Sequence, residues 1–328
     1  MRDESRDWTP LHARVHQELR RRQLLVRGAR VLLAVSGGQD SICLLKLCRD
    51  LQPKWNWTLA IAHCDHRWPT DPGIATHVER VAREFGLPFW LIVADRVEET
   101  EAAARAWRYR VLGDLARERG FAALATGHTA SDRAETLLYN FMRGAGADGL
   151  QALVWQRPLV PNVRLVRPLL TATRTEIKAF CQEFQLPVWE DATNRELRFA
   201  RARIRHELLP YLSEHFNPQV ESVLAQTAEV LRADVDYLEA QAADIANAAI
   251  APEGLRRSRL RGEPLALQRR VVRQWLQTEL ARAPTFAQID AVVSAINAPQ
   301  RTRSSTMATN YGRAWAEVAG DWICWRTE

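Results

Sequence analysis

The sequence predicts an α/β protein in which an open parallel sheet with helices on both faces is followed by a smaller, mostly helical domain. Up to about residue 200, short apolar runs typical of buried strands alternate with helical patterns, as they do in parallel sheets. After Asn217-Pro218 and up to about Asn297, alanine, leucine and arginine recur at helical spacing without a strand signal. A chain of 328 residues can fold into both parts.

The elements of the predicted sheet domain follow one another in a regular order. Strands are expected at residues 31–35, 58–62, 88–93 and 122–125. Helices are expected from Ile42, from Pro72 to Gly86, from about Glu98 to Gly120, from about Ser131 to Met142, and from about Thr173 to Pro187. Apolar residues recur there every three or four positions, and proline or glycine marks several of the ends. A loop with three glycines is expected at residues 143–149.

The domain boundary is expected near residue 213, where the strand signal stops. Residues 1–213 then form the sheet domain, and residues 214–328 form the helical domain. The tail after about residue 301 again favours strands, so it predicts one or two short hairpins.

Composition excludes several classes of protein. Hydrophobic residues make up 47% of the chain and charged residues 26%, which is typical of a soluble globular protein. No apolar run approaches the roughly 20 residues of a membrane span, and the charged first ten residues do not resemble a signal peptide, so we expect a cytoplasmic protein without membrane contact. The five cysteines contain no Cys-x-x-Cys pair, which argues against zinc or iron–sulfur sites. His63, Cys64 and His66 directly follow a strand in which side chains alternate faces, so a metal there is also not expected.

The chain is basic, and its cations are nearly all arginine. The net charge is +6 and the isoelectric point about 9.3, with lysine only at Lys46, Lys54 and Lys178. Guanidinium groups suit phosphate oxygens and stack on bases. Arginine bias can equally reflect genomic base composition, so the placement of the arginines has to decide.

The first candidate site is the segment Ser36-Gly37-Gly38-Gln39-Asp40-Ser41 between the first strand and its helix. Unpaired N–H groups at a helix start bind anions, the glycines let an anion approach the backbone, and the serines add hydroxyl donors. The alternative is an ordinary strand-to-helix turn. The lysine of a Walker-type loop is absent, and Asp40 would repel bare phosphate, which implies magnesium or a cationic group nearby.

The second candidate site follows the fourth strand. His128 lies at the strand end, and Asp132 and Glu135 stand three residues apart on one helix face. Acids at a helix start are ordinarily partners of the helix dipole. Because the ends of parallel strands share one rim of a sheet, this pair is also placed to hold magnesium or to bind an ammonium group near the first loop.

A third candidate site is a row of arginines. Arg198, Arg201 and Arg205 fall on one helical face, and Arg203 lies to the side. Solvated arginine faces are common, so this pattern alone is weak. Asp191, Thr193 and Asn194 precede the row and look like a turn and a helix cap.

Together these motifs resemble a known family. The segment Ser36 to Ser41 resembles the signature of the N-type ATP pyrophosphatases, or PP-loop enzymes. The order of motifs over about residues 20–220 resembles the tRNA(Ile)-lysidine synthetases: His63-x-x-His66, Arg105-x-x-Arg108-Tyr109, Gly127-His128, Asp132-x-x-Glu135-Thr136, Arg143-Gly144-x-Gly146, Arg167-Pro168-Leu169, Asp191-x-Thr193-Asn194, Arg201-x-Arg203-x-Arg205 and Asn217-Pro218. The chain departs from the family pattern at Arg67-Trp68, Thr129, Ser131 and Arg133.

The resemblance implies a PP-loop fold and a two-step reaction. ATP would adenylate C2 of the wobble cytidine in a tRNA(Ile) with a CAU anticodon, and free L-lysine would then displace AMP to give lysidine. The implied nucleotide-binding residues are Ser36, Gly37, Gly38, Gln39, Asp40 and Ser41, with Mg²⁺ at Asp40. The implied catalytic residues are Asp40, Asp132, Glu135, Arg108 and Arg203. The implied substrate-binding residues are His128, Asp132, Glu135, Arg201 and Arg205.

Other functions remain open at this point. A tRNA thiolation enzyme would share the loop but usually needs a cysteine pair. A small-molecule amide-forming synthetase would not require the helical domain, and a non-catalytic RNA-binding protein would not require Asp40, Asp132 and Glu135. The sequence also leaves open whether the protein forms a homodimer.

Overall fold

A computed structural model describes residues 8–67, 73–95, 100–189, 200–280, 282–309 and 312–327. The chain divides into two compact units, the first ending at Leu231 and the second beginning at Arg232. This division lies C-terminal to the boundary expected near residue 213. None of the helices in the described part of the chain has the length and apolar character that crossing a membrane requires.

The first unit is built on a six-stranded sheet with the order β3-β2-β1-β4-β6-β5. Its strands are β1 (Arg30–Ala34), β2 (Thr58–Asp65), β3 (Phe89–Val93), β4 (Ala123–Ala125), β5 (Gln156–Val160) and β6 (Val163–Val166). All neighbouring pairs are parallel except β5 and β6, which form an antiparallel hairpin. Because β1 lies between β2 and β4, the chain segments that follow these three strands meet at one rim of the sheet.

Helices cover both faces of this sheet, as the sequence predicts. Alternate residues of β1 enter different cores: Val31 and Leu33 pack on one face, and Leu32 packs on the other. The first face is covered by α1 (Pro10–Arg21), α2 (Gln39–Trp55), α3 (Ile74–Glu84) and α7 (Arg174–Glu183). The opposite face is covered by α4 (Glu101–Glu118), through Leu112 and Ala116. The alternation of β1 thus specifies a three-layer arrangement.

The remaining helices of the first unit lie between Ala130 and the end of the unit. They are α5 (Ala130–Met142), α6 (Ala147–Leu150), α8 (Ala200–Arg203), a π-helical turn (Ile204–Leu208), α9 (Leu209–His215) and the start of α10 (Val220–Ala249). The expectation of a plain loop at 143–149 was wrong, because α6 begins there at Ala147. The expected helix start at Pro72 lies outside the described residues.

The second unit combines helices with an antiparallel sheet of order β7-β8-β11-β10-β9. Its strands are β7 (Ile250–Ala251), β8 (Gly254–Arg256), β9 (Met307–Thr309), β10 (Gly312–Ala319) and β11 (Trp322–Thr327), and its helices are α11 (Leu265–Glu279) and α12 (Phe286–Ala295). Val272 of α11, Val292 of α12 and Val318 of β10 share one core. The hairpins of the tail are confirmed. The absence of strands before Asn297 was a wrong expectation, because β7 and β8 lie there.

Candidate active site

The segment after β1 has the geometry of an anion-binding loop. Gly37 adopts a left-handed φ of +91°, and Gly38 is the N-cap of α2 without a capping side chain. The first N–H groups of α2 therefore have no partner within the helix. The Ser41 hydroxyl donates to the Gly38 carbonyl at 2.9 Å and accepts the Ser36 N–H at 3.1 Å. The serines thus hold the loop in a shape that leaves the helix start open.

The turn after β4 touches this loop directly. A Cβ atom on Gly127 would lie 2.7 Å from the carbonyl oxygen of Asp40 and 3.0 Å from the nitrogen of Ser41, which no real side chain tolerates. Gly127 therefore allows the two backbones to approach this closely. The two motifs that the sequence separates by more than eighty residues form one site.

Three carboxylates from two helices surround one guanidinium. Arg174, the first residue of α7, places Nη2 2.6 Å from Asp132 Oδ1 and Nε 3.4 Å from Asp40 Oδ2, and its Nη1 donates to Glu135 Oε1. Asp40 comes from the first turn of α2, and Asp132 and Glu135 come from α5. The sequence predicts that these acids lie near the loop, and the structure confirms that they do. The arginine that joins them to the loop was not among the predicted residues.

Helix caps fix the positions of these charged groups. Thr129 is the N-cap of α5: its hydroxyl accepts the Asp132 N–H at 3.1 Å, and its own N–H donates to Asp132 Oδ2 at 2.8 Å. Thr173 forms the same kind of capping box with Glu176 at the start of α7, next to Arg174. Each box aligns two donors at the helix start. One oxygen of Asp132 serves the cap while the other faces Arg174.

A second arginine completes the cluster. Arg205 donates from Nε to Glu135 Oε1 at 2.8 Å and from Nη2 to Glu135 Oε2 at 3.1 Å, while Glu135 is only 3% exposed. With the three acids ionised, the carboxylates carry three negative charges and the two guanidiniums carry two positive charges. Among the described residues, these five side chains together then carry one net negative charge.

Burial and charge set the protonation of the cluster. Burial raises the pKa of Asp40 above its ordinary value, and Arg174 offsets this only in part. Burial acts in the same direction on Asp132, but Arg174 and other partners outweigh it, so the pKa of Asp132 lies below its ordinary value. The pKa of Arg174 is raised, because the carboxylates outweigh the effect of burial. The negative charge of Asp40 is thus less well compensated than that of Asp132.

Cations and a neutral histidine lie beside the acids. Burial, together with the positive charges of Arg167, Arg105 and Arg108, lowers the pKa of His128 to about 3 against the opposing effect of Asp132. His128 Nδ1 lies 2.8 Å from the Thr126 hydroxyl oxygen. Within the described part of the chain, neither Arg105 nor Arg108 forms an ion pair with an acid, so both are candidates to contact a bound anion.

The other predicted residues lie around this centre. Arg201 places its guanidinium carbon 5.8 Å from the ring centre of Tyr139, farther along α5, and Arg203 is exposed on α8. The structure thus brings Arg205 into the acid cluster and leaves Arg203 on the surface. Asp191, Thr193, Asn194 and Arg198 lie outside the described residues. His63 places Nδ1 2.8 Å from the Val35 carbonyl oxygen. Among the residues that can be described, no three histidine, cysteine or acidic side chains are arranged so that they could hold a metal ion together.

Sequence reasoning missed Arg174, although one signal was present. A cation at the first position of a helix opposes the helix dipole, so it needs a partner elsewhere. Arg174 occupies that position after Thr173, and its partners lie up to 134 residues away in the sequence. An arginine placed against the dipole at the rim of a parallel sheet therefore indicates a site residue.

Comparison with known proteins gives matches over most of the chain. A family model of the PP-loop domain matches residues 11–212, and a model of the TilS substrate binding domain matches residues 255–308. A tRNA(Ile)-lysidine synthase from Nostoc sp. is 52% identical over 336 aligned positions, covering 97% of each chain. One from Synechocystis sp. is 49% identical, covering 96% of this chain and 97% of the relative.

The chain belongs to the tRNA(Ile)-lysidine synthase family. This confirms the resemblance drawn from the motifs. A chloroplastic tRNA(Ile)-lysidine synthase from Zygnema circumcarinatum is 33% identical over 85% of this chain and 78% of its own. Among solved structures, a U34-tRNA thiolase from Methanococcus maripaludis matches with a TM-score of 0.57 at 17% identity, covering 68% of this chain and 78% of its own, which shows a shared fold.

Proposed function

We propose that the protein acts in the cytoplasm, where it joins free L-lysine to C2 of the wobble cytidine of a tRNA(Ile) with a CAU anticodon and converts ATP to AMP and pyrophosphate. The observation that supports this most directly is the contact between the anion-binding loop and the acid cluster, joined through Asp40, Gly127 and Arg174. A nucleotide held by the loop would present its α-phosphate to the C2 oxygen of the base, and an amine held by the acids would lie close enough to attack C2 afterwards.

The first step is adenylation of the cytidine. The C2 oxygen forms a bond to the α-phosphorus of ATP, and the bond from that phosphorus to pyrophosphate breaks. The loop residues Ser36, Gly37, Gly38, Gln39 and Ser41 bind the departing diphosphate through N–H and hydroxyl groups. The target base has to leave its stack to reach this position.

Asp40 fits a magnesium ion next to the phosphates. Its side chain is 23% exposed, its pKa is raised, and its charge is only partly offset by Arg174, so it has capacity for a cation. Magnesium is usually held by one or two carboxylates together with substrate phosphates. When bound, the ion would neutralise charge on the triphosphate.

In the second step the ammonium group of lysine first loses a proton; the free amine then forms a bond to C2, and the bond from C2 to the oxygen of AMP breaks. Asp132 and Glu135 are the other two carboxylates of the cluster once Asp40 is taken by the magnesium ion, and both are more buried than Asp40. Desolvated carboxylates bind an ammonium more strongly than exposed ones do. We therefore assign Asp132 and Glu135 to lysine.

The remaining basic residues are assigned to the RNA and the intermediate. Arg108, whose positive charge acts on His128, is assigned to stabilise the negative charge that develops as AMP leaves. Arg203 is exposed, so it could stabilise the intermediate only if the RNA approaches the site from the solvent side. Arg201 and Arg205 extend from Tyr139 to the acid cluster, a path that suits the phosphates next to the target base.

The test is to incubate the protein with ATP, radiolabelled lysine and unmodified tRNA(Ile). The proposal expects label in the tRNA and one AMP per lysine, and no label when ATP is omitted or when a tRNA(Met) with the same anticodon is supplied. Sulfur incorporation without lysine would support a thiolation enzyme. AMP release without tRNA would support a small-molecule synthetase, and RNA binding without AMP release would support a non-catalytic protein.

A further inference from the structure

Two acids of α10 contact the residues on either side of Asp132. Glu221 accepts a hydrogen bond from the Ser131 hydroxyl through Oε2, and Glu229 Oε2 lies 2.7 Å from Arg133 Nη2. Ser131 and Arg133 are each only 2% exposed. Because both contacts flank a carboxylate of the cluster, the start of α10 is connected to the acid helix α5 at two points.

The hydroxyl of Ser131 links α10 to Arg174. A serine hydroxyl has one proton to donate, and Ser131 directs it to Glu221, which leaves its lone pairs as acceptors. The backbone N–H of Arg174 donates to this oxygen at 3.0 Å. That N–H belongs to the first residue of α7, where no helix carbonyl is available. Water does not replace the hydroxyl easily, because Ser131 is buried.

The second contact fixes the direction of α10. Arg133 also donates from Nε to the Leu153 carbonyl at 3.0 Å, and Glu229 also pairs with Arg22 at 2.7 Å and accepts from Trp155 Nε1 at 3.0 Å. Glu221 and Glu229 are eight residues apart, which is roughly 12 Å along a helix axis. Two attachments this far apart set both the distance and the angle between the helices.

We propose that Ser131 and Glu221 are positioning residues for capture of the amine. Glu221 orients the Ser131 hydroxyl, the hydroxyl holds the backbone of Arg174, and Arg174 spaces Asp132 and Glu135 for the incoming ammonium. Neither residue touches the substrate in this scheme. The identity of the amine as lysine rests on the proposed function, but the link from α10 to Arg174 does not.

The test compares Ser131→Ala with Ser222→Ala. Ser222 is the neighbour of Glu221 on α10, is partly exposed to solvent, and donates to the carbonyl of Gln219, just before the start of that helix, at 2.9 Å. In Ser131→Ala, hydrogen exchange at the Arg174 amide should quicken about three- to tenfold, and the half-saturating lysine concentration should rise by a similar factor. Pyrophosphate release on tRNA without lysine should stay within twofold. Ser222→Ala should change none of the three.

Substitutions at Glu221 separate positioning from general stability. Glu221→Gln keeps a carbonyl oxygen that accepts from Ser131 and should retain most lysine affinity, whereas Glu221→Ala should behave like Ser131→Ala. Unchanged exchange at Arg174 in Ser131→Ala would overturn the proposal. The proposal would also be overturned if lysine affinity and pyrophosphate release fell together across these variants in proportion to the loss of melting temperature. If the unaltered protein incorporates no lysine, the proposed function fails. Hydrogen exchange at the Arg174 amide would still show whether Ser131 and Glu221 hold the backbone of Arg174.

Discussion

Arg174 Nη2 lies 2.6 Å from Asp132 Oδ1, although the two residues are 42 positions apart and lie in the first turns of different helices. The same guanidinium also contacts Asp40 of the anion-binding loop and Glu135. One side chain therefore joins the part of the site that is suited to phosphate with the part that is suited to an amine. This arrangement makes the two half-reactions separately testable.

Replacing Arg174 with alanine should abolish most lysine transfer. The substitution leaves Asp132 without its nearest cation and Glu135 with Arg205 alone in a largely buried site, which costs about 2–5 kcal/mol, or roughly 30- to several thousandfold in kcat/KM for lysine. Arg14→Ala is the matched control, because Arg14 forms an exposed ion pair with Glu176 on the same helix as Arg174. Equal losses in both variants would show that Arg174 has no special role.

Neutralising the acid pair should affect lysine and spare the nucleotide. Asp132→Asn and Glu135→Gln keep the shapes of the side chains but remove the charges that bind the ammonium, so the KM for lysine should rise at least tenfold, about 1.4 kcal/mol. Pyrophosphate release measured without lysine should change little. If instead the magnesium requirement rises while the KM for lysine is unchanged, the acids bind metal.

Two glycines of the loop should respond differently to alanine. Gly37 has φ at +91°, and a Cβ there would lie 3.2 Å from Ile74 Cγ1, so Gly37→Ala should cost about 1–2 kcal/mol of folding stability as well as activity. Gly38 has an ordinary φ of −71°, and the nearest atom to its Cβ would be 3.8 Å away. Gly38→Ala should therefore keep the melting temperature but raise the KM for ATP. A normal KM for ATP in Gly38→Ala would remove that residue from the phosphate site.

His128 should contribute a defined part of the acid sensitivity of the fold. Its pKa is lowered from 6.5 to about 3, mainly by burial, so between these pH values the unfolded chain binds a proton that the folded chain does not. Stability therefore falls as pH decreases through this window. In His128→Gln, the melting temperature should therefore change less with pH between about 3 and 6.5. The exposed His215→Gln should not show this change, and the same slope in both variants would contradict burial of a neutral imidazole.

Local patterns predicted most of the sheet domain and both halves of the site. The apolar run 31–35 and the paired glycines indicated a strand entering a loop, and the three-residue spacing of Asp132 and Glu135 placed them on one face. The hairpin of β5 and β6 was not predicted, because Pro158 argues against a strand unless, as here, the strand lies at the sheet edge. The strands β7 and β8 have two and three residues, too few to show a period.

The connections between distant elements were beyond local patterns. The role of Arg174 depends on how α7 packs against α5, and the role of Glu221 depends on how α10 packs against α5. A spacing of three or four residues within one helix predicts neither of these packing arrangements. Ser131 and Arg133, which depart from the family pattern, gained an explanation only when their partners on α10 were seen. Polar contacts across the tertiary structure are what the sequence alone does not reveal.

A structure with magnesium and a non-hydrolysable ATP analogue tests the role of the loop most directly. The β- and γ-phosphates should accept hydrogen bonds from the backbone N–H groups at the start of α2 and from Ser36 or Ser41, with the metal against Asp40 and the α-phosphate facing Arg174. Phosphates bound elsewhere, with the loop between Ser36 and Ser41 empty, would contradict the proposed reaction at its first step.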